Sequence, residues 1–313
     1  MSQPDSPPPA GSTDAARPPR GAGGVELLAG RGAEVGGLTL HRLLPQRGRR
    51  SIGAWCFADH AGPVAPDADA AGMQVPPHPH IGLQTFTWMI SGEVLHRDSL
   101  GHRQVIRPGE LNLMTAGRGI AHAEQSVAGS GALHAAQLWI ALPGAHRGVE
   151  PRLDHHAELP RWREAGVECT LLAGECGGLR APTRVYSPLL ALELRSPGGG
   201  RIRLAGERGF EYGVMLLEGR VEVQGTQLAG EQLACLGAAQ GGVELKLAAG
   251  ARVLLLGGEP LGEQLLMWWN FVGREREEIT EARRQWEAGG PRFGEVPGFG
   301  GYRLPAPPLP WRG

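Results

Sequence analysis

The sequence predicts an all-β protein built from two similar barrels in tandem, followed by one short helix. The chain has 313 residues, of which 50 are glycine and 26 are proline, and this surplus over ordinary usage favours tight turns over long helices. From Leu38 onward, short apolar runs alternate with turn residues at a spacing of about eight to twelve positions, which is typical of β-sandwiches and β-barrels.

The two halves of the chain repeat a similar pattern at two places. Residues 88–94 resemble residues 215–221, and residues 107–111 resemble residues 228–232. Duplication of one β unit explains both similarities. Between the halves, residues 143–160 are rich in proline, histidine and charge, which predicts the linker.

These patterns divide the chain into four predicted parts. Residues 1–30 form a disordered tail rich in proline and glycine, residues 31–150 the first barrel, and residues 151–262 the second barrel. Residues 263–313 contain a helix and a proline-rich tail. The helix is predicted at 275–288, where glutamate and arginine interleave at helical spacing before a pair of glycines.

Composition excludes several functions. The formal net charge is -1, so we expect no direct contact with nucleic acid or an anionic membrane. Apolar runs are far shorter than the roughly 18 residues of a membrane span, and the N-terminus lacks a signal-peptide pattern. The 4 cysteines form no C-x-x-C pair, which favours a reduced, cytoplasmic protein. The common phosphate-binding, hydrolase and dinucleotide-binding motifs are absent from the sequence.

Two pairs of metal-ligating residue types stand at a spacing of two. His78 and His80 flank a proline, and His122 and Glu124 flank an alanine. Residues i and i+2 of a strand point to the same face, so two neighbouring strands would bring all four side chains together. Three imidazoles and one carboxylate suit a first-row divalent metal and leave up to two positions open. Either pair alone is weak evidence in a chain with 11 histidines, but glycines before and after both pairs would permit the corners of a small barrel.

The other histidines receive structural interpretations. His60 is predicted in a turn before Gly62-Pro63, His96 is predicted to flank a hairpin with Asp98 near its tip, and residues 155–156 are predicted to be solvated in the linker. All 11 histidines lie at or before position 156. We therefore expect no metal in the second barrel.

The motifs around these pairs resemble the pirin family, whose members consist of two cupin (jelly-roll) barrels, with iron in the first. The segments at 77–85, 92–101 and 114–124 carry the resemblance, which covers roughly residues 35–290 and includes 137–143 and 257–261. Carried over position by position, the family's metal ligands fall on His78, His80, His122 and Glu124. The resemblance implies Fe2+, with Mn, Co, Ni, Cu and Zn as alternatives, and a monomer.

The resemblance also implies an activity, because some bacterial pirins are similar to quercetin 2,3-dioxygenases. The expected reaction opens the ring of a flavonol-like aromatic substrate with O2 and releases carbon monoxide, and Glu124 would act as the catalytic base. A second hypothesis is a regulatory protein whose binding to a transcription factor or metabolic enzyme depends on the iron redox state. A third is a zinc or manganese isomerase or hydrolase on the same barrel.

The sequence departs from the family at one side of the first histidine pair. Many pirins have arginine, phenylalanine and glutamate where this chain has Ile81, Leu83 and Gln84. In other cupins an acid at the Gln84 position is itself a ligand, so Glu124 would be the only anionic one here. If the strand is unbroken, Gln84, Phe86 and Trp88 share the inward face with His80 and form either a pocket wall or plain core.

Overall fold

The computed structural model describes residues 24–64, 72–237 and 241–311. The predicted disordered tail lies outside these residues up to position 23. Its last part is not a tail, because Glu26–Ala29 forms a strand that pairs with Gln232–Leu236 in the second half of the chain.

The first half of the described chain consists of strands and a single 3-10 turn, Gly144–His146. In chain order the strands are β1 (Glu26–Ala29), β2 (Arg31–Val35), β3 (Leu38–Leu44), β4 (Trp55–Val64), β5 (Gln74–His80), β6 (Leu83–Ser91), β7 (Val94–Asp98), β8 (Arg103–Ile106), β9 (Leu111–Thr115), β10 (Ile120–Ser126), β11 (Leu133–Ala141) and β12 (Arg152–His156).

The second half adds further strands and one α-helix among the described residues. They are β13 (Arg161–Glu164), β14 (Val167–Ala173), β15 (Glu175–Cys176), β16 (Leu179–Arg180), β17 (Leu189–Ser196), β18 (Gly200–Leu204), β19 (Glu211–Glu218), β20 (Val221–Val223), β21 (Thr226–Leu228), β22 (Gln232–Leu236), β23 (Val243–Leu247), β24 (Ala251–Gly258), β25 (Leu266–Trp268), β26 (Phe271–Gly273) and α1 (Arg276–Glu287). The predicted helix is confirmed.

Each half folds into a barrel of one seven-stranded and one four-stranded sheet. The first barrel has the orders β12-β9-β6-β11-β4-β3-β2 and β5-β10-β7-β8, and the second has β1-β22-β19-β24-β17-β14-β13 and β18-β23-β20-β21. The orders correspond strand by strand, so the prediction of two similar barrels is confirmed. Trp88 on β6 and Met215 on β19 lie on corresponding strands, which explains the repeated pattern.

The second barrel takes its outermost strand from the N-terminal side of the first. β1 precedes the first barrel in the chain but pairs with β22 of the second, whereas β12 follows β11 of the first barrel and pairs with its β9. Each of these strands covers backbone groups that a bare sheet edge would leave unpaired. The boundaries predicted at residues 30 and 150 therefore do not coincide with the edges of the sheets. His155, predicted to be solvated in the linker, lies on β12 and bonds Asn112 at 2.7 Å.

The large sheets of the two barrels pack face to face. The apolar layer between them includes Phe86, whose ring meets Trp55 edge-on at 5.2 Å, and Trp88, whose indole N–H donates to Glu193 at 3.1 Å. His60 also lies in this interface, within β4, where it contacts Glu231 of the second barrel at 2.7 Å. The prediction of a turn at His60 is therefore wrong, because the strand continues through this position.

The interior of the second barrel is filled mostly by aliphatic side chains. The strands that correspond to β5 and β10 are β18 and β23, and their buried positions are Ile202, Leu204, Val243, Leu245 and Leu247. These side chains offer no lone pair to a metal, whereas the corresponding strands of the first barrel carry histidine and glutamate.

The chain after the second barrel returns to the first. β26, α1 and the segment beyond it cover the outer face of β5 and β10, where Ile81 and Ala121 pack against Phe271 and Trp286. Gly289, at φ +68°, ends the helix in a conformation that glycine adopts without strain. No α-helix in the described residues has the length and apolar character needed to cross a membrane.

Candidate metal centre

The four-stranded sheet of the first barrel aligns the predicted ligands. In the register, His122 on β10 lies opposite His78 on β5, and on its other side opposite Asp98 on β7. The adjacent pair along β10 and β7 is Glu124 and His96. β5 tolerates a proline between its two histidines because it is an edge strand, where a missing N–H breaks no ladder.

Three imidazoles converge inside the barrel. His78, His80 and His122 each offer a ring nitrogen within 4.8 Å of the other two, and the Nε2 atoms of His80 and His122 lie 3.0 Å apart. The Nδ1 atoms of the first two are held by backbone carbonyls, at 2.9 Å for His78 with Pro76 and 3.0 Å for His80 with Asn270. A carbonyl only accepts, so each Nδ1 carries the proton and each Nε2 has a free lone pair.

Burial keeps these imidazoles neutral. It lowers the pKa of His78 to about 4 and lowers the pKa values of His80 and His122 well below the ordinary 6.5, with the neighbouring imidazoles adding to the effect. Neutral imidazole is the form that binds a metal. The three rings are therefore ready to bind a cation at neutral pH.

Glu124 lies beside the imidazole cluster rather than within it. Its carboxylate groups with His96 and His122 within 4.8 Å, but it does not share one such group with all three predicted imidazole ligands. Burial raises the pKa of Glu124, and electrostatic interaction with His96 and the polar contact with Thr87 offset part of that rise. A buried carboxylate next to a metal position would be favoured in its charged form by the cation.

His96 and Asp98 belong to the site, which the sequence-based interpretation missed. The hairpin prediction is correct, since β7 and β8 pair across it. Both side chains, however, point into the barrel, at 2% and 0% exposure, and His96 Nε2 lies 3.1 Å from Asp98 Oδ2. The available signal was a third pair at a spacing of two, equivalent to His122 and Glu124. Although burial opposes it, hydrogen bonds and electrostatic interactions with His96 and His102 lower the pKa of Asp98.

Of the two alternatives for Gln84, Phe86 and Trp88, the pocket wall is wrong, and plain core is correct for the two aromatic side chains. Gly82, at φ +68°, separates β5 from β6 and places them in different sheets, so the alternation does not continue from His80. Phe86 and Trp88 face the second barrel, and Gln84 donates to Thr115 and to the Arg184 carbonyl.

The opposite face of the same large sheet, which points away from the second barrel, lines the site instead. Trp139 on β11 stacks on Phe57 at 4.1 Å between ring centres and meets the His80 ring edge-on at 5.3 Å. Thr87 donates to the Gln137 side chain at 2.7 Å. The wall therefore combines two stacked aromatic rings with hydroxyl and amide groups.

Fold and site together define a two-barrel cupin with a histidine-rich centre in its first barrel. The family model described as pirin matches residues 37–140, and the model of the pirin C-terminal cupin domain matches residues 191–294. This chain belongs to the pirin family.

Relatives with names and structures support the same assignment. A provisionally named quercetin 2,3-dioxygenase of Pseudomonas aeruginosa is 55% identical over 289 residues, covering 92% of this chain and 91% of that protein. A pirin-like protein of Caulobacter vibrioides is 37% identical over 82% of this chain and 90% of its own length. The crystal structure of quercetin 2,3-dioxygenase from Acinetobacter baumannii is similar, with 45% identity, a TM-score of 0.89, and coverage of 92% of this chain and 96% of that one. These names support the expectation of a dioxygenase-like oxidoreductase.

Proposed function

We propose that this protein is an iron-dependent dioxygenase that opens the ring of a flavonol such as quercetin with O2. The observation that carries the proposal is the set of three imidazoles whose ring nitrogens converge while backbone carbonyls hold two of their Nδ1 protons. The names of the similar Pseudomonas and Acinetobacter proteins support the substrate class.

The donor set fits one divalent cation. His78, His80 and His122 would hold it, and Glu124 would complete the set by turning its carboxylate towards the Nε2 atoms. Imidazole nitrogen suits Fe, Ni, Cu, Co and Zn, and the added carboxylate is typical of non-haem Fe2+ sites that leave open positions. When bound, the metal would supply open coordination positions for the deprotonated substrate hydroxyl and O2.

The protein's own groups would bind and orient the substrate. Trp139 and Phe57 present an aromatic surface beside His80, on which a flat ring system can stack. Gln137 and Thr87 lie on the same wall and can bond substrate oxygens. Of the four predicted ligands, His78 and Glu124 keep the most exposure, at 7% and 8%, so the substrate would approach from their side.

Glu124 would act as the base. Beside the bound cation, this buried carboxylate would stay in its charged form, the form that accepts a proton. Loss of the flavonol hydroxyl proton to Glu124 would create the anion that reacts with O2. Glu124→Ala should abolish turnover while the protein stays folded, and full turnover in that variant would refute the assignment of the base.

The test is metal content by mass spectrometry after anaerobic purification, followed by oxygen uptake with quercetin. We expect one equivalent of iron and an uptake that His78→Ala removes. His146→Ala is the matched control, because His146 is exposed in the 3-10 turn and is expected to leave both readouts unchanged.

The other outcomes separate the remaining hypotheses. Iron binding without oxygen uptake would favour the redox-sensing regulatory protein. A protein that binds no metal would refute both. The large apolar side chains exposed in the described part of the chain are Leu27, Leu100, Leu179 and Tyr302, from four separate segments, and they give the regulatory hypothesis no particular support.

A further inference from the structure

His122 is the one imidazole of the cluster whose proton is not placed by a backbone carbonyl. Its Nε2 faces His80 Nε2 at 3.0 Å, and its Nδ1 faces His96 Nδ1 at 3.4 Å. If Nε2 carries the proton, His122 donates to His80 and cannot bind a metal. If Nδ1 carries it, Nε2 is free. The ring needs a partner that selects the second form.

His96 is that partner, provided that its own Nδ1 is unprotonated. Its other nitrogen, Nε2, lies 3.1 Å from Asp98 Oδ2. A carboxylate accepts and does not donate, so the His96 proton stays on Nε2 and its Nδ1 remains an acceptor. Asp98 thus fixes the tautomer of His96 and keeps its Nδ1 as an acceptor for a proton on His122 Nδ1. His80 Nε2 is the competing acceptor for the one His122 proton, and a metal bound at His122 Nε2 requires that this proton go to the His96 side.

The Asp98 carboxylate is held in one orientation. Its Oδ1 accepts the backbone N–H groups of Leu100 at 2.9 Å and of His102 at 3.1 Å, while Oδ2 faces His96. The side chain is fully buried. The tight turn between β7 and β8 therefore fixes which oxygen meets the imidazole.

We propose that Asp98 and His96 are positioning residues that set the tautomer of His122, so that its Nε2 lone pair points to the metal position. The inference rests on the proposed metal centre and deepens it. Neither residue needs to touch metal or substrate for this role. Asp98 acts through His96, and His96 acts through a single hydrogen bond to His122.

The substitution Asp98→Asn reverses the direction of the hydrogen bonds from Asp98 through His96 to His122 with little change in side-chain shape. The new amide must keep its oxygen towards the two backbone N–H groups of the turn, so its NH2 group faces His96. His96 Nε2 then accepts, its proton moves to Nδ1, and His122 is forced to carry its own proton on Nε2. The turn remains capped, but the third ligand is blocked.

The experiment is a calorimetric titration of the metal-free full chain with Ni2+. It compares the wild type, Asp98→Asn and His102→Ala. We expect Asp98→Asn to weaken Ni2+ binding by about 10- to 100-fold, the range known for partners of metal-binding histidines. His102→Ala removes another side chain that contacts the same carboxylate, at 2.9 Å. It leaves the hydrogen bonds among Asp98, His96 and His122 in place and should leave the Ni2+ affinity unchanged. Wild-type affinity in a folded Asp98→Asn protein would overturn the inference.

A second measurement does not depend on metal or on the variant's stability. Nitrogen-15 NMR of the histidine rings in the metal-free wild type should show His96 protonated at Nε2, with His96→Gln used for assignment. A His96 proton on Nδ1 would overturn the inference. A wild type that shows the expected His96 tautomer but fails to bind Ni2+ would refute the proposed metal centre and leave the Asp98–His96 hydrogen bond intact.

Discussion

Gly82 connects the metal site to the C-terminal segment, and replacing it with alanine should weaken both. A Cβ at this position would lie 2.0 Å from the Val272 carbonyl oxygen, where real contacts essentially never fall below 3.0 Å. Val272 would have to move by about 1 Å, which disturbs its hydrogen bond to the Ile81 carbonyl. Asn270, which holds the Nδ1 proton of His80, is two residues away.

The free-energy change follows from two contributions. Alanine at φ +68° costs about 1–2 kcal/mol in backbone strain. Loss of the Val272 hydrogen bond adds about 1 kcal/mol. We therefore expect Gly82→Ala to lower the free energy of unfolding by about 2–3 kcal/mol. Ni2+ affinity should fall about tenfold, because the carbonyl that orients His80 is displaced.

Gly37→Ala is the matched control. Gly37 also has a positive φ, +86°, but nothing lies within 4 Å of a Cβ built there. It should lose only the strain contribution, about 1–2 kcal/mol, and keep its Ni2+ affinity. Urea unfolding of the metal-free proteins and Ni2+ calorimetry measure the two effects. Equal destabilisation in both variants, or unchanged metal affinity in Gly82→Ala, would refute this reasoning.

Two further predictions concern the pocket wall and the contact between the barrels. Trp139→Ala should raise the KM for quercetin in oxygen-uptake assays because it removes the stacking surface beside His80. Phe86→Ala, in the inter-barrel core, should lower the free energy of unfolding by about 3–5 kcal/mol and leave Ni2+ affinity unchanged. The reverse pattern would favour Phe86 rather than Trp139 as part of the pocket wall. Burial opposes ionisation of Glu231, but the hydrogen bond from His60 and nearby histidine charges outweigh it and lower its pKa below 4.5. Its contribution to stability is therefore complete above pH 4.5 and is lost as pH falls through the lowered pKa. At neutral pH, Glu231→Gln should lower the free energy of unfolding by about 1 kcal/mol or less. In acid, thermal unfolding of the variant and of the wild type should become the same.

The sequence was sufficient for the local parts of the site. The spacing of His78 with His80 and of His122 with Glu124 places each pair on one face of a strand, and the structure brings the three imidazoles together. The full set of four ligands stays a prediction, since Glu124 groups with His96 and His122. Alternation within a strand is a local rule, so it can be read without knowing the fold.

The parts that were missed depend on what happens between strands. Gly82 moves the chain from one sheet to another, and this interrupts the alternation that assigned Gln84 to the site. Asp98 looked like a loop residue because one of its oxygens does accept a hydrogen bond in the turn. The sequence gives no sign that the other oxygen contacts His96 inside the barrel. The Asn270 carbonyl carries no side-chain signal, and it is separated from His80 by 190 positions in the chain.

The pairing of β1 with β22 imposes an order on the protein's synthesis. β1 leaves the ribosome before either barrel, yet its partner β22 is made more than two hundred residues later. The carbonyl that orients His80 arrives later still, on residue 270. A nascent chain ending at the linker would contain all four predicted ligands without the support that aims them. Tight metal binding would therefore begin only after residue 270 has been made, and a first barrel isolated from the C-terminal segment would lack the carbonyl that orients His80.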